Sequence, residues 1–385
     1  MREIWVFLGA ALLIAALADV FLVILNYDEM GFVATRLCRW QWYCLRIVTR
    51  RLPPRWRPFA LRQVTGLNVL LSVTTWLGLV VSGFGFMYFG LMEGANFEYE
   101  GRGVGPGLFS AMYLSAAQLS TVGTSQVVPQ TNVLRALTIA ETLSAPLLIT
   151  LILTFLIGVY QVVRDLRNLS ASFSYPEHGA SEPLAVLEPY FPNGVGLDEF
   201  LQEINGGLWS YADGLRLHHV AYFFQSGRDH FSLPHVLRML GETLAALRWG
   251  LPSESSISRQ PLLSRMIFRF DRFLDYLHDQ LGWTDAIPVP ISFEEFSAIH
   301  QCATDSQDPW CSRFLCLTRA MERMERRAPP SESRDAYLRY RQWLPFAYRS
   351  ERAMSAVSWD LDYQPDVAKR VTFAGRVDCP ARDAP

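Results

Sequence analysis

Three long apolar runs punctuate the first part of the chain: Trp5 to Leu25, Gly66 to Met92 and Ala136 to Tyr160. About 20 apolar residues let a helix cross a bilayer, so each run predicts a transmembrane helix. The first is broken only by Asp19. Ala16-Leu17-Ala18 fits a signal-peptide cleavage site, yet the run continues through Val20 to Leu25, which a cleaved leader does not need. A fourth apolar stretch, Gly107 to Leu119, reaches about half a membrane. It predicts a re-entrant segment, which enters the bilayer and leaves on the same side.

The polar stretches orient these spans. The loop between the first two carries Arg36, Arg39, Arg46, Arg50, Arg51, Arg55, Arg57 and Arg62 against Asp28 and Glu29. Arginine-rich short loops stay cytoplasmic. The N-terminus is then outside, the re-entrant segment dips in from outside, and Arg164 and Arg167 follow the third span on the inner side. Within the loop, Leu37, Trp40, Cys44, Ile47 and Val48 recur at helical spacing. They predict an amphipathic helix on the inner membrane face, with Trp40, Trp42 and Trp56 at the interface. Such a helix either transmits gating motion or serves as an anchor.

From about Asn168 the pattern changes. Ser170 to Pro192 is rich in Ser, Pro and Glu and reads as a linker. Helix signals follow. Ser232-Leu233-Pro234 supplies an N-cap and an early proline, with Val236, Leu237, Leu240, Leu244 and Leu247 as the apolar face. Leu263, Met266, Ile267, Phe270, Phe273, Leu274 and Leu277 mark a second face. Ser292-Phe293-Glu294-Glu295 is a capping-box pattern. Asp308-Pro309 opens a further helix running towards Arg327, and a tail follows Asp360. Alternating runs are few, so this part reads as all-helical.

Composition sharpens the division. A mean hydropathy of +0.12 averages the spans with a polar part. The net charge of -2 hides a split: 13 basic and 9 acidic side chains through Arg167, 22 and 28 beyond it. A balance this close to zero argues against a nucleic-acid binder. Lys369 is the only lysine. That preference matches a GC-rich bacterial genome, so the expected location is a bacterial inner membrane. Six cysteines at irregular spacing make no disulfide framework. His300, Cys302, Cys311 and Cys316 lack the C-x-x-C pair of common metal sites and read as buried groups with free thiols in a reducing compartment. His218-His219 and Arg228-Asp229-His230 are either contacts for an anion or satisfied helix and loop residues. There is no P-loop, no G-x-G-x-x-G after a strand and no nucleophile–base motif, so neither an enzyme nor a cofactor is expected.

The chemistry concentrates after the short segment. A half-crossing helix, Leu108 to Leu119, aims the negative end of its dipole at the membrane centre, where it favours a cation. Ser120-Thr121-Val122-Gly123-Thr124-Ser125-Gln126 follows it. Extended backbone carbonyls and a hydroxyl replace a cation's hydration shell. Non-helical backbone is tolerated at that depth only where it lines such a cavity.

At these residues the chain resembles the potassium-channel pore family. Tyr113 falls on the family's pore-helix tyrosine, and Ser120-Thr121-Val122-Gly123 on its Thr-Thr-Val-Gly. Val127-Val128-Pro129-Gln130-Thr131 fits the segment after the filter without a gap. Arg135-Ala136-Leu137 and Glu141 stand where the inner helix commonly has Arg-Ala-Leu and Glu. The resemblance covers about residues 66 to 165, and it implies a homotetramer closed around one axis. It also implies a permeating monovalent cation, potassium or sodium.

The departures are as informative. Thr124, Ser125 and Gln126 replace Tyr-Gly-Asp. In the family the second glycine takes a conformation that a side chain disfavours, so Ser125 strains or redirects the path. Thr124 is too small to brace the filter from behind. The inner rings, from Thr121, Val122 and Gly123, look retained and the outer ones altered, which implies weak selectivity. The second reading is a non-conducting scaffold or sensor that keeps the pore fold.

Further residues belong to gating or support. Ala145 occupies the family's hinge-glycine position, and Pro146 follows it; the proline is a bend for opening or a static kink. Leu148, Leu151, Ile152, Phe155 and Val159 form either an apolar constriction or plain bundle core. Asp19, a carboxylate within a span, is a sensor or the partner of Arg62 or Arg164. Glu141 reads as a hydrogen-bonding brace behind the filter. Glu93, Glu98 and Glu100 outweigh Arg102 in the outer loop, as a cation-concentrating mouth or a solvated loop.

The expected organisation is an all-α membrane protein with three transmembrane helices and one re-entrant pore loop, followed by an α-helical cytoplasmic domain. Its parts are an extra N-terminal span (1–27), a cytoplasmic interfacial helix (28–65), the pore domain (66–165), a linker (166–195) and a helical regulatory domain with a tail (196–385). The expected partners are further copies of itself, membrane lipids and a cytoplasmic ligand or protein; nucleic acid is excluded.

Overall fold

A computed structural model describes residues 2–25, 32–53, 56–92, 96–99, 105–120, 123, 126–173, 182–225, 231–284, 286–302, 308–325 and 332–363. Apart from one two-stranded pair, the described elements are helical. The chain forms two compact units, Met1–Val162 with Asp213–Gln225, and Val163–Ala212 with the described part of Ser226–Pro385.

The first unit begins with α1 (Arg2–Leu25), α2 (Phe32–Arg50), α3 (Arg57–Arg62) and α4 (Val64–Leu91). Strand β1 (Phe97–Tyr99), α5 (Leu108–Leu119), β2 (Val127–Pro129) and α6 (Asn132–Ala171) follow. Three helical stretches, Arg2–Val23, Phe59–Leu91 and Asn132–Ala171, are long and apolar enough to cross a membrane. The twelve residues of α5 are apolar but too short for that.

α1 lies along α4. Trp5 packs on Phe86 and Phe89, with ring centroids 5.3 and 5.4 Å apart. Further along, a Cβ on Gly9 would collide with the Gly83 carbonyl oxygen. Small residues permit this approach, and between apolar helices in lipid close van der Waals contact replaces the hydrophobic drive. α5 nests on α4 in the same way: a Cβ on Gly85 would meet Met112 Sδ at 2.5 Å.

α2 turns its polar face inward. Gln41, Trp42, Arg46 and Thr49 are buried, whereas Trp40, Tyr43, Ile47 and Val48 are exposed. Trp40 and Trp56 are open to an interface, but Trp42 is not; its ring packs 5.7 Å from Phe223. The helix thus seats polar groups on the protein and leaves its apolar stripe outward.

The second unit contains the last turns of α6 and then α7 (Pro183–Leu187), α8 (Leu197–Leu217) as far as Ala212, and α9 (Leu233–Ala245). A π-helical turn, Ala246–Gly250, leads to α10 (Pro261–Leu281), α11 (Phe293–Cys302), α12 (Pro309–Met324) and α13 (Ser333–Asp360). The expected caps are present. Ser232 Oγ accepts from the His235 N–H, Ser292 Oγ from the Glu295 N–H, and Asp308 from the N–H groups of Trp310 and Cys311. α6 runs on through Ala171, into the stretch read as a linker, because Val163, Leu166 and Leu169 prolong its buried stripe. The core is aromatic: Tyr340 stacks on Phe296 and tilts against Phe314 and Trp343. Buried Arg339 donates Nη1 to the Trp249 carbonyl at 2.6 Å, and so takes up an oxygen that the π-helical turn presents.

Candidate functional site

α5 is fastened to both neighbouring spans through one carboxylate. Glu141, on α6, is fully buried. Its Oε1 accepts from Ser115 Oγ of α5 at 2.5 Å, and its Oε2 from the Tyr88 hydroxyl of α4 at 2.7 Å. Tyr88 and Ser115 are themselves fully buried. A second tie, Thr142 Oγ1 to Gln118 Oε1 at 3.2 Å, joins α6 to the last turn of α5.

The segment after α5 is held at both ends. Ser120 caps the helix, its N–H donating to the Ala116 carbonyl at 2.9 Å. Gly123 has φ +69°, the left-handed region that glycine takes without steric cost, and its N–H donates to the Ala117 carbonyl at 3.4 Å. Thr121, Val122, Thr124 and Ser125 lie outside the described residues. Gln126 is exposed, and β2 then pairs antiparallel with β1, placing Val127 opposite Tyr99 and Pro129 opposite Phe97. Gln130 Nε2 donates to Glu98 at 2.8 Å, and the Gln130 N–H to the Asn96 carbonyl at 2.9 Å. Glu98 therefore has a side-chain partner, while Glu93, Glu100 and Arg102 fall outside the described residues.

α6 is continuous through Pro146. The proline removes the N–H that the Thr142 carbonyl would accept. Hydroxyls crowd this stretch: Ser144 donates to the Glu141 carbonyl at 2.7 Å, and Thr150 to the Pro146 carbonyl at 2.8 Å. Ala145 is buried and Pro146 exposed.

Leu148, Leu151, Ile152, Phe155 and Val159 read as either an apolar constriction or plain bundle core; Leu151 is partly buried, and the other four fit the second reading. All four are buried within their own chain. Phe155, at 1% exposure, sits edge-on to Trp76 with centroids 5.2 Å apart. The outward face of α6 presents Thr150, Leu153, Thr154 and Ile157.

Asp19 is 2% exposed and accepts from the Trp76 indole N–H at 2.9 Å. The sequence offered Asp19 as a sensor or as the partner of an arginine, and gave no sign of Trp76. Asp19, Trp76 and Phe155 thus join α1, α4 and α6. The line continues to His218, whose ring lies 6.0 Å from Phe155 and against Gly158. Burial pushes the His218 imidazole below its ordinary value. His219 stacks on Tyr222 at 5.6 Å; burial, and then the nearby Arg39 cation, hold it down at about 4. His218 and His219 are thus packing groups of the first unit, and Arg228, Asp229 and His230 lie outside the described residues.

Of the cysteines read as thiols, Cys311 is not bridged, but Cys316 is disulfide-bonded, a correction to that expectation; Cys44 on α2 is not bridged either. His300 meets Ser333 Oγ at 3.1 Å through Nδ1. Among the described residues no group of three or more His, Cys, Asp or Glu side chains is placed to hold a metal. Comparison with family models, curated proteins and solved structures finds no match to this chain.

Proposed function

We propose that the chain is a subunit of a homo-oligomeric cation channel of potassium-channel-like design, with four copies around one axis. Ser120 to Gln126 form the filter, with the inner rings from Thr121, Val122 and Gly123. The observation that carries this reading is the Glu141 brace. It pins a half-length apolar helix between two long ones, with a Thr-Val-Gly segment at that helix's C-terminal end. The dipole end of α5 then favours a cation where the filter begins. Exposed Phe109 and Tyr113 on α5, and Leu143 and Leu147 on α6, offer an apolar surface that neighbouring copies and lipid cover.

Gating enters from the polar part of the chain. Residues 213–225 belong to the unit of the spans, and His218 among them packs on α6. The arginine loop and everything after α6 are cytoplasmic, in a bacterial inner membrane, and the N-terminus is outside. Thr124, Ser125 and Gln126 leave the outer filter without its usual brace, so discrimination is weak.

Planar bilayers with purified full-length protein test this. The expected current is cationic, with a potassium-to-sodium permeability ratio within about threefold of unity, under 1 kcal/mol. Restoring Thr124→Tyr, Ser125→Gly and Gln126→Asp together is expected to raise that ratio about tenfold. A strongly potassium-selective wild type defeats the weak-filter reading. Silence under every voltage and pH, with and without small carboxylates, defeats the channel itself and leaves the scaffold.

A further inference from the structure

The all-helical unit contains a cavity of about 80 Å³ between α9, α12 and α13, with Leu184 of α7 at its wall. Small residues open it: Gly241 and Ala245 on α9, Ala347 and Ser350 on α13. Three charged groups line it, Arg238, Glu242 and Arg313. Most of the remaining wall is apolar, with Leu317 and Trp343 beside Leu184.

The guanidinium groups are held in place. Arg238 Nε bonds Glu242 at 3.2 Å within α9. Arg313 Nη1 donates to Glu351 at 2.7 Å, and its guanidinium carbon lies 4.7 Å from the Trp310 ring centre and 5.9 Å from that of Trp343. Glu351 balances Arg313 from outside the lining, so the wall itself carries two cations and one anion. Burial pushes the Glu242 carboxyl above its ordinary value. Any neutral fraction of that group leaves the wall more positive. Each guanidinium is a rigid fork of five N–H donors, shaped for carboxylate oxygens.

We propose that this cavity binds a small monocarboxylate with a short hydrocarbon body, its carboxylate at Arg238 and Arg313 and its chain over Leu184, Leu317 and Trp343. An apolar cavity of roughly 150 Å³ takes benzene; this one is about half that, which limits the body to about three or four carbons. A ligand of this kind would fill the role of the cytoplasmic effector. The binding itself does not depend on conduction.

Calorimetry on detergent-solubilised full-length protein tests it, with acetate, propionate, butyrate and hexanoate as probes and butyramide and butylamine as matched controls. Saturable carboxylate binding is expected, tightening about fourfold per methylene up to butyrate and weakening at hexanoate. The amide and the amine are expected to bind at least about tenfold more weakly. Ala245→Leu fills the cavity and is expected to abolish binding. Arg238→Met with Glu242→Met removes the ion pair as a unit, avoids leaving a lone buried charge, and is expected to cost at least about tenfold. The absence of saturable heat with every carboxylate up to about 10 mM overturns the proposal. So does butyrate binding that neither variant alters, because the ligand then sits elsewhere. A silent pore with intact butyrate binding removes the channel and keeps this site; a conducting pore without binding does the reverse.

Discussion

At the residue scale, Glu141 decides whether α5 stays where it is. Its carboxylate is buried and receives two side-chain donors from two other helices. Glu141→Ala strands both, and a buried unsatisfied donor costs about 1–3 kcal/mol. The expected loss is about 3 kcal/mol, read as a fall in the melting temperature of the solubilised protein; Ser115→Ala is expected to lose about half as much. Because the two changes share one network, the double variant is expected to fall short of their sum. Glu141 was legible in the sequence as a polar break in an apolar run, but Tyr88 and Ser115 were not. They lie 53 and 26 residues away, and hydroxyls on apolar helices carry no periodic mark. His219 gives a pH prediction with a definite sign. Burial lowers it from 6.5 to about 4, so the folded state resists a proton that the unfolded chain accepts. Its contribution is therefore neutral above 6.5, turns destabilising as pH falls through 6.5, and levels off below about 4. Between pH 7 and 5 the wild type is expected to lose about 1–2 kcal/mol more stability than His219→Gln, measured as parallel melts. Equal slopes would rule the residue out as the acid-sensitive group.

At the element scale, α6 shows why a hydrophobic pattern identifies a span but not its inner face. The helix is apolar nearly all round, so its periodicity does not distinguish a face that meets its own chain from one that meets other copies or lipid. The buried stripe of Leu148, Ile152, Phe155 and Val159 belongs to the chain's own packing, the second of the two roles its pattern allowed. α2 carries the same lesson reversed: its apolar periodicity was readable, and the structure turns that stripe outward while Gln41 and Arg46 go in. The capping signals of α9 and α12 were local and translated directly into helix starts. The contact of Gly158 with His218 was not local. A Cβ there would lie 2.7 and 2.8 Å from ring carbons of His218, closer than side chains approach. Gly158→Ala is therefore expected to cost about 1–3 kcal/mol as an overpacked contact. Adding His218→Ala relieves the clash, so the double variant is expected to recover most of the loss in a melting experiment. If the two losses simply add, the imidazole is not what confines position 158.

At the scale of the whole molecule, two features point to opposite compartments for the polar part of the chain. In the topology proposed above, two crossings separate the arginine loop from the end of α6, which puts both on one side of the membrane. On the proposed topology, eight arginines against two acids assign that side to the cytoplasm. Cys316, however, is disulfide-bonded, and disulfides persist in oxidising compartments. The arginines carry more weight, because they act during insertion, whereas a thiol pair brought together by the fold is oxidised only where the surroundings permit it. Composition made the arginines legible and left the cysteines misread: irregular spacing hides a pairing that tertiary structure creates. The expected outcome is that a membrane-impermeant maleimide leaves Cys316 unlabelled in intact cells and labels it after permeabilisation, as read by peptide mass. A bridged Cys316 recovered from cells quenched with a permeant thiol blocker, together with outside access of protease to α7–α13, would invert the topology. It would carry the arginine loop outward with it, and Ser120 to Gln126 would then face the cytoplasm instead of the exterior.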